Sequence, residues 1–140
     1  MSKKQVLILC TGNSCRSQMA EGLINARLGN QYQAYSAGTK PSGYVHPKAI
    51  QVMAELDIDL SQNKSQNLEL FKGQPFDFVI TVCGSAKENC PVWLSEAGQV
   101  VHIGFDDPAD ATGSDEEITA EFRRVRDEII ERVLNFLAKE

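Results

Sequence analysis

The sequence predicts an α/β protein of one domain, in which a four-stranded parallel sheet is flanked by helices on both faces. Short apolar runs alternate with segments whose apolar residues recur every three or four positions, and this order builds a parallel sheet with right-handed crossovers. The chain has 140 residues, which matches one domain of about 100–150 residues. Because the sequence also contains no internal repeat or linker-like tract, we treat residues 1–140 as a single domain.

The first half of the chain supplies two strands and two helices. Residues 5–10 form an apolar run typical of a strand buried on both faces, and residues 32–36 read as a short second strand. Pro47 fits the first turn of the second helix, and a weaker helix is predicted over 66–72. The first helix is indicated by apolar residues at helical spacing, namely Met19, Ala20, Leu23, Ile24 and Leu28.

The second half of the chain supplies two more strands and a long helix. The strands are predicted at 76–82 and 99–103, each followed by residues typical of turns. Ser114 and Glu117 have the spacing of a capping box, which predicts that a helix begins there. The apolar face of this helix is formed by residues three or four apart: Ile118, Phe122, Val125, Ile129, Val133 and Leu137.

Composition and charge exclude several classes of protein. Hydrophobic residues make up 42% of the chain and charged residues 24%, which is ordinary for a globular protein. The net charge of −5 disfavours a nucleic-acid surface, which needs an excess of Lys and Arg. The longest apolar run, residues 6–10, is far shorter than the roughly 18 residues of a membrane span, and the amino end lacks a signal-peptide core. We expect a cytoplasmic monomer that binds neither nucleic acid nor a membrane.

The four cysteines fall in two pairs, Cys10 with Cys15 and Cys83 with Cys90. In a chain without an export signal we expect reduced thiols rather than structural disulfides. Close zinc-ligand pairs are normally separated by two to four residues, whereas four and six residues intervene here, so we expect no metal site. Catalytic thiols and inert core thiols remain as alternatives.

The loop after the first strand has the composition of an anion site. Cys10 and Arg16 are spaced Cys-x5-Arg between a predicted strand and a predicted helix, where backbone N–H groups and the helix amino end attract an oxyanion. Arg16 offers a planar fork to two oxygens, and the positive environment favours a thiolate at Cys10, the form that attacks. Gly12 and Asn13 tolerate the left-handed backbone that such a loop needs. The alternative is a buried Cys10 that ends a core strand and a surface Arg16 that begins a helix.

Three segments with reactive side chains follow predicted strands: 10–17, 83–90 and 106–108. The carboxyl ends of parallel strands meet at one edge of the sheet, which is where ligands bind in such folds. We therefore expect the three segments to form one site, and this coincidence indicates an enzyme.

The motif CTGNSCRS at 10–17 and the later Asp107-Pro108 resemble the low-molecular-weight protein tyrosine phosphatase family, in particular its thioredoxin-coupled arsenate reductase branch. The resemblance covers nearly the whole chain and implies a four-stranded parallel sheet with helices. It also implies an oxyanion-binding loop made of Thr11, Gly12, Asn13, Ser14, Cys15, Arg16 and Ser17. Further matches to the branch are Cys10 to Gly22, Ser36 to Gly38, Cys83-Gly84, Cys90-Pro91 and 104–109.

The resemblance implies a relay of three thiols. Cys10 attacks arsenate held by Arg16, while Asp107 protonates a departing oxygen. Cys83 then forms a transient disulfide with Cys10 and releases arsenite. Cys90 next attacks Cys83, which forms the Cys83–Cys90 disulfide. Thioredoxin reduces this last disulfide, no bound cofactor is needed, and phosphate or sulfate compete with arsenate as anions.

Two features favour the reductase over a phosphatase. The phosphatases of the family carry aromatic residues after Asp-Pro, whereas this chain has Ala109-Asp110-Ala111, so only a weak phosphatase side activity is expected. Cys83 and Cys90 have no role in ester hydrolysis, although a buried strand-end thiol and a loop thiol would also account for them. Cys15 has no role in this reaction sequence and is interpreted as a packing thiol. Asp106 could replace Asp107 as the general acid if the loop were rotated.

Some members of the family hold a potassium ion beside the nucleophile loop. Asn13, Glu21 and Ser36 match positions of that site, but Gln66 stands where a carboxylate ligand is expected. A potassium site is therefore in doubt, and we predict that the Lys64 ammonium occupies the cation position. The alternative is an ordinary solvated lysine.

The relay also makes a prediction about the segment 83–98. A helical segment would separate the Cα atoms of Cys83 and Cys90 by roughly 10 Å, too far for a disulfide, which needs about 4.4–6.8 Å. We therefore predict a redox-gated loop that contains Trp93, the one tryptophan of the chain.

Overall fold

The computed structural model describes residues 3–84 and 98–140. The strands are β1 (Lys4–Cys10), β2 (Tyr32–Gly38), β3 (Phe78–Thr81) and β4 (Gln99–His102). The helices are α1 (Arg16–Arg27), α2 (Pro47–Ala54) and α3 (Asp115–Ile129), and α3 continues through a π-helical turn (Ile130–Leu134) into a short α-helical segment (Asn135–Ala138). Turns of 3₁₀-helix lie at Leu68–Phe71 and Pro108–Asp110.

All four strands are parallel, in the order β2-β1-β3-β4. The register pairs Cys10 with Gly38 and Leu9 with Thr81, so the carboxyl ends of the strands meet at one edge. The central strand β1 is fully buried from Val6 to Leu9, which explains why it reads as a continuous apolar run.

Helical segments cover both faces of this sheet. On β2, the Ser36 hydroxyl reaches Glu21 of α1, while the ring of Tyr35 packs against Phe71 with centroids 5.6 Å apart. Successive side chains of a strand point to opposite faces, so α1 and the turn Leu68–Phe71 lie on opposite sides. The helices α1, α2 and α3 pack against one another. The predicted fold class is confirmed.

Two predicted elements are shorter than expected, for local reasons. The helix predicted at 66–72 is one 3₁₀ turn, which begins where the Asn67 side chain accepts the Glu69 N–H. The strand predicted at 76–82 begins only at Phe78, because the Asp77 carboxylate takes the Gln5 N–H at 2.8 Å in place of a ladder carbonyl. The capping box of Ser114 and Glu117 is present as predicted.

In the described residues, no helix is long and apolar enough to span a bilayer.

Candidate active site

The loop that joins β1 to α1 turns its carbonyl groups outward. Backbone N–H groups of the segment 40–46 donate to three of them at 2.9 Å, in the pairs Lys40–Thr11, Ser42–Gly12 and His46–Ser14. A trans peptide points its N–H away from its C=O, so the N–H groups that follow these carbonyls point into the loop. Inward N–H groups at a helix amino end are suited to bind an oxyanion.

Cys10 is 3% exposed, and its sulfur lies inside this loop. It accepts the backbone N–H of Asn13 at 3.2 Å and lies 2.9 Å from the Ser17 hydroxyl. Asn13 Nδ2 already donates to that hydroxyl at 2.8 Å, so the hydroxyl hydrogen of Ser17 is available to the sulfur. Two donors directed at one sulfur stabilise its thiolate form, which is the nucleophilic form.

Asn13 gives the loop its shape. Its φ is 48°, in the left-handed region that asparagine tolerates better than most residues. Gly12 was expected to share this role, but its φ is not positive. Of these two residues, only Asn13 adopts the left-handed conformation.

The guanidinium of Arg16 connects the loop to the segment after β4. Its Nη1 donates to the Phe105 carbonyl at 3.1 Å, and its Nη2 lies 3.5 Å from Asp107 Oδ2. Its Nε is buried and has no hydrogen-bond partner in the described part of the chain. A buried donor without a partner costs about 1–3 kcal/mol, and an anion oxygen bound beside it would remove that cost.

Asp107 is held in place from three sides. Its Oδ1 accepts the Ala109 N–H at 3.0 Å, which begins the turn Pro108–Asp110, and also faces the Cys15 thiol at 3.5 Å. Arg16 pairs with its other oxygen. The carboxyl group therefore sits within reach of the loop that Cys10 occupies, as a general acid requires.

Cys15 is a second buried thiol of the same loop, with the opposite environment. Burial, followed by the negative charges of Asp107 and Cys10, raises the pKa of Cys15 to about 12. Cys15 therefore stays a thiol and acts as a hydrogen-bond donor to Asp107. No sequence motif predicts this contact, which forms between residues 92 positions apart only when the loop and the segment after β4 pack together.

Cys83 follows β3 and is buried at the same edge of the sheet. Its sulfur lies 3.2 Å from the Thr11 hydroxyl, so a thiol from outside the nucleophile loop contacts it. Cys90, Trp93 and the predicted Cys83–Cys90 disulfide involve residues outside the described ranges.

The residues matched to a potassium site form a hydrogen-bonded network. Glu21 accepts the Ser36 hydroxyl at 2.9 Å through one oxygen and Asn63 Nδ2 at 3.0 Å through the other. Burial raises the pKa of Glu21, and these hydrogen bonds oppose part of that rise.

The oxygens nearer the loop are engaged as well. Asn13 Oδ1 accepts Gln18 Nε2 at 3.1 Å and the Gln66 N–H at 2.8 Å, and the Lys64 carbonyl accepts Gln18 Nε2 at 3.0 Å. The side-chain oxygens of Asn13 and Glu21 thus accept hydrogen bonds from neighbouring donors, and the doubt about a potassium site stays a prediction. The Lys64 side chain is exposed, and its role as a cation substitute stays a prediction.

Comparison with known proteins agrees with this site. The family model described as low molecular weight phosphotyrosine protein phosphatase matches residues 5–140. The arsenate reductase of Halalkalibacterium halodurans is 49% identical over 136 residues, which cover 97% of this chain and 96% of the relative. The arsenate reductase of Bacillus subtilis is 44% identical over the same shares of the two chains.

Solved structures give the same result. A structure described as an arsenate reductase in oxidized state has a TM-score of 0.83 at 34% identity and covers 97% of this chain and 98% of its own. The low molecular weight protein tyrosine phosphatase from T. tengcongensis has a TM-score of 0.78 at 26% identity, with 99% and 100% covered. The chain belongs to the low molecular weight phosphotyrosine protein phosphatase family.

Proposed function

We propose that this protein reduces arsenate to arsenite in the cytoplasm through a relay of three cysteines, with thioredoxin as the electron donor. The observation that carries the proposal is that Cys83, a thiol from outside the anion loop, lies against the loop that holds the nucleophile Cys10. Cys10 lies among the donors of the loop, and Cys83 contacts Thr11 of the same loop at 3.2 Å. The full-length similarity to arsenate reductases supports the same chemistry.

The first step forms a bond between Cys10 sulfur and arsenic(V). The inward N–H groups and Arg16 bind the oxyanion and stabilise its charge as the thiolate attacks. Asp107 gives a proton to the departing oxygen, which leaves as water. In the structure Arg16 pairs with Asp107, so binding of an anion would exchange part of that ion pair for bonds to the substrate oxygens.

The second step reduces the arsenic. The Cys83 thiolate attacks Cys10 sulfur, the electron pair of the sulfur–arsenic bond passes to arsenic, and arsenic(III) leaves as arsenite. Cys90 then attacks Cys83, which restores the Cys10 thiolate and leaves a Cys83–Cys90 disulfide. A thioredoxin dithiol supplies two electrons to this disulfide and becomes oxidised itself.

The surface beside Cys83 supports access by a second protein. A groove of about 340 Å³ opens there, lined by Cys83, Gly84, Phe105, Arg132 and neighbouring residues. Because disulfide exchange needs a thiolate to approach one sulfur along the S–S bond, an open groove at this position suits a protein reductant.

The decisive experiment compares two electron sources with purified protein and arsenate. Thioredoxin, thioredoxin reductase and NADPH should sustain turnover, with one arsenite formed per NADPH oxidised. Glutathione with glutaredoxin should not. Turnover only with glutaredoxin would remove the thioredoxin assignment.

Cys83→Ser separates the reductase from the second candidate, a phosphatase. That candidate is supported by the similarity to a tyrosine phosphatase and by an acid at Asp107. The variant should lose arsenate turnover yet keep Cys10 reactive and keep any slow hydrolysis of p-nitrophenyl phosphate. Efficient hydrolysis of phosphotyrosine peptides by the wild type, without arsenate turnover, would establish the phosphatase instead.

A further inference from the structure

We propose that Gln18 is a positioning residue for the nucleophile: its buried carboxamide holds Asn13 so that the Asn13 N–H and Ser17 hydroxyl stay aimed at Cys10 sulfur. The proposal rests on the assignment of Cys10 as the nucleophile. It concerns the reactivity of that thiol and does not depend on which oxyanion is the substrate.

Gln18 lies in the first turn of α1 and is 1% exposed. Its Nε2 lies 3.2 Å from the Asn13 carbonyl, 3.1 Å from Asn13 Oδ1 and 3.0 Å from the Lys64 carbonyl. An amide NH₂ has two hydrogens, so three oxygens share two donors. Its Oε1 accepts Asn63 Nδ2 at 3.1 Å. Both ends of this carboxamide are therefore fixed by hydrogen bonds.

Asn13 is the link between Gln18 and the sulfur. It holds a left-handed backbone with φ 48° and is fully buried. Gln18 bonds to both its carbonyl and its side-chain oxygen, which ties backbone and side chain together in this conformation. The cost of a left-handed non-glycine residue is thus offset by bonds that exist only in that conformation.

Two paths lead from Asn13 to Cys10. The backbone N–H of Asn13 reaches the sulfur directly at 3.2 Å. Its Nδ2 donates to the Ser17 hydroxyl at 2.8 Å, which turns the hydroxyl hydrogen toward the sulfur 2.9 Å away. If Gln18 lost its donors, Asn13 could rotate and both hydrogen bonds to the thiolate would weaken together.

Of the residues matched to a potassium site, Asn13 is the one that Gln18 contacts. The three oxygens around Gln18 Nε2 belong to Asn13 and Lys64, and the amide offers them the positive end of its dipole. The loop is therefore held by a side chain of its own helix.

The test measures the rate at which iodoacetamide alkylates Cys10, as a function of pH, by mass spectrometry of the Cys10 peptide. Gln18→Met keeps the length of the side chain and removes its donors. We expect its alkylation rate at pH 6 to fall about tenfold, the effect of weakening one hydrogen bond to a charged group. Gln51→Met, at an exposed glutamine of α2, is the matched control and should match the wild type.

Two further measurements keep the test decisive. If Gln18→Met does not fold, Gln18→Leu also lacks the N–H donors and adds no charge, so it should show the same loss. For wild type, profiles in potassium chloride and sodium chloride of equal ionic strength should coincide. A wild-type alkylation profile in a folded Gln18 variant would overturn the proposal, and so would a change specific to potassium. Because alkylation needs no arsenate, absence of arsenate turnover would overturn the proposed function and leave this test intact.

Discussion

At the scale of single residues, two thiols of one loop are set apart by what surrounds them. Cys10 receives donors from Asn13 and Ser17, whereas Cys15 faces the carboxylate of Asp107. Donors stabilise a thiolate, while a nearby negative charge and burial oppose one. Their order in the sequence does not reveal this difference; their hydrogen-bond partners do.

We predict that iodoacetamide modifies Cys10 well below pH 8 and leaves Cys15, whose pKa is about 12, unmodified up to pH 9. Sulfate or phosphate should protect Cys10 by filling the loop. Arg16→Ala should abolish this protection, whereas Arg27→Ala, at the exposed end of α1, should keep it. Peptide mass spectrometry distinguishes the two thiols, and equal rates for them across pH 5–9 would contradict the activated loop.

Glu21 predicts a pH dependence of stability. Its folded-state pKa is raised above the ordinary 4.5 by burial. As pH rises above that value, the unfolded chain loses the proton first, so the free energy of unfolding falls until the folded carboxyl has ionised too.

Glu21→Gln removes this titration and should flatten the dependence of stability on pH between pH 4 and 7. Urea unfolding at several pH values measures it, with Glu69→Gln at an exposed position as the control. A wild-type slope in Glu21→Gln would show that this carboxyl does not contribute.

At the scale of elements, the end of β2 and the nucleophile loop fit against each other with no spare space. A Cβ atom at Gly38 would lie 2.5 Å from the Thr11 carbonyl oxygen, closer than non-bonded atoms approach. The neighbouring strand therefore forms part of the wall that fixes the loop.

Gly38→Ala should lower the free energy of unfolding by about 1–3 kcal/mol, the usual cost of overpacking, and weaken anion protection of Cys10. Gly12→Ala is the matched control for stability, because its Cβ would stand 3.6 Å from Ser14 Oγ, an ordinary contact. Thermal or urea denaturation compares them. Unaltered stability of Gly38→Ala would mean that β2 and the loop move apart at little cost.

At the scale of the whole molecule, the features that could be predicted from the sequence are those that depend on hydrophobic periodicity and on where strands end. The buried run of β1, the capping box of Ser114 and the gathering of Cys10 and Asp107 at one sheet edge all follow from local patterns. The contact of Cys15 with Asp107 and the role of Gln18 did not, because each depends on side chains brought together only by tertiary packing.

The relay makes a prediction for the chain as a whole. Oxidation by one equivalent of arsenate should shift the emission of Trp93, and dithiothreitol should reverse the shift, because a Cys83–Cys90 disulfide requires Cα atoms about 4.4–6.8 Å apart and would exclude a helical conformation between them. Cys90→Ser should stop after one turnover without the full shift, and Cys83→Ser should yield little arsenite. Identical spectra and identical protease sensitivity of 83–98 in both redox forms would refute the redox-gated loop.

The outward carbonyls of the nucleophile loop have a consequence for amide hydrogen exchange. The N–H groups of Lys40, Ser42 and His46 donate to those carbonyls on the outer side of the loop, away from the anion position. We therefore expect their exchange with deuterium to be slow with and without an anion. The inward N–H groups of Gly12 and Cys15 should exchange more slowly chiefly when an anion is bound, whereas the Asn13 N–H is already bonded to Cys10 sulfur. Hydrogen exchange would thus distinguish two sets of N–H groups. Those of the segment 40–46 exchange slowly in both states, and the inward groups of the loop become protected when the anion binds.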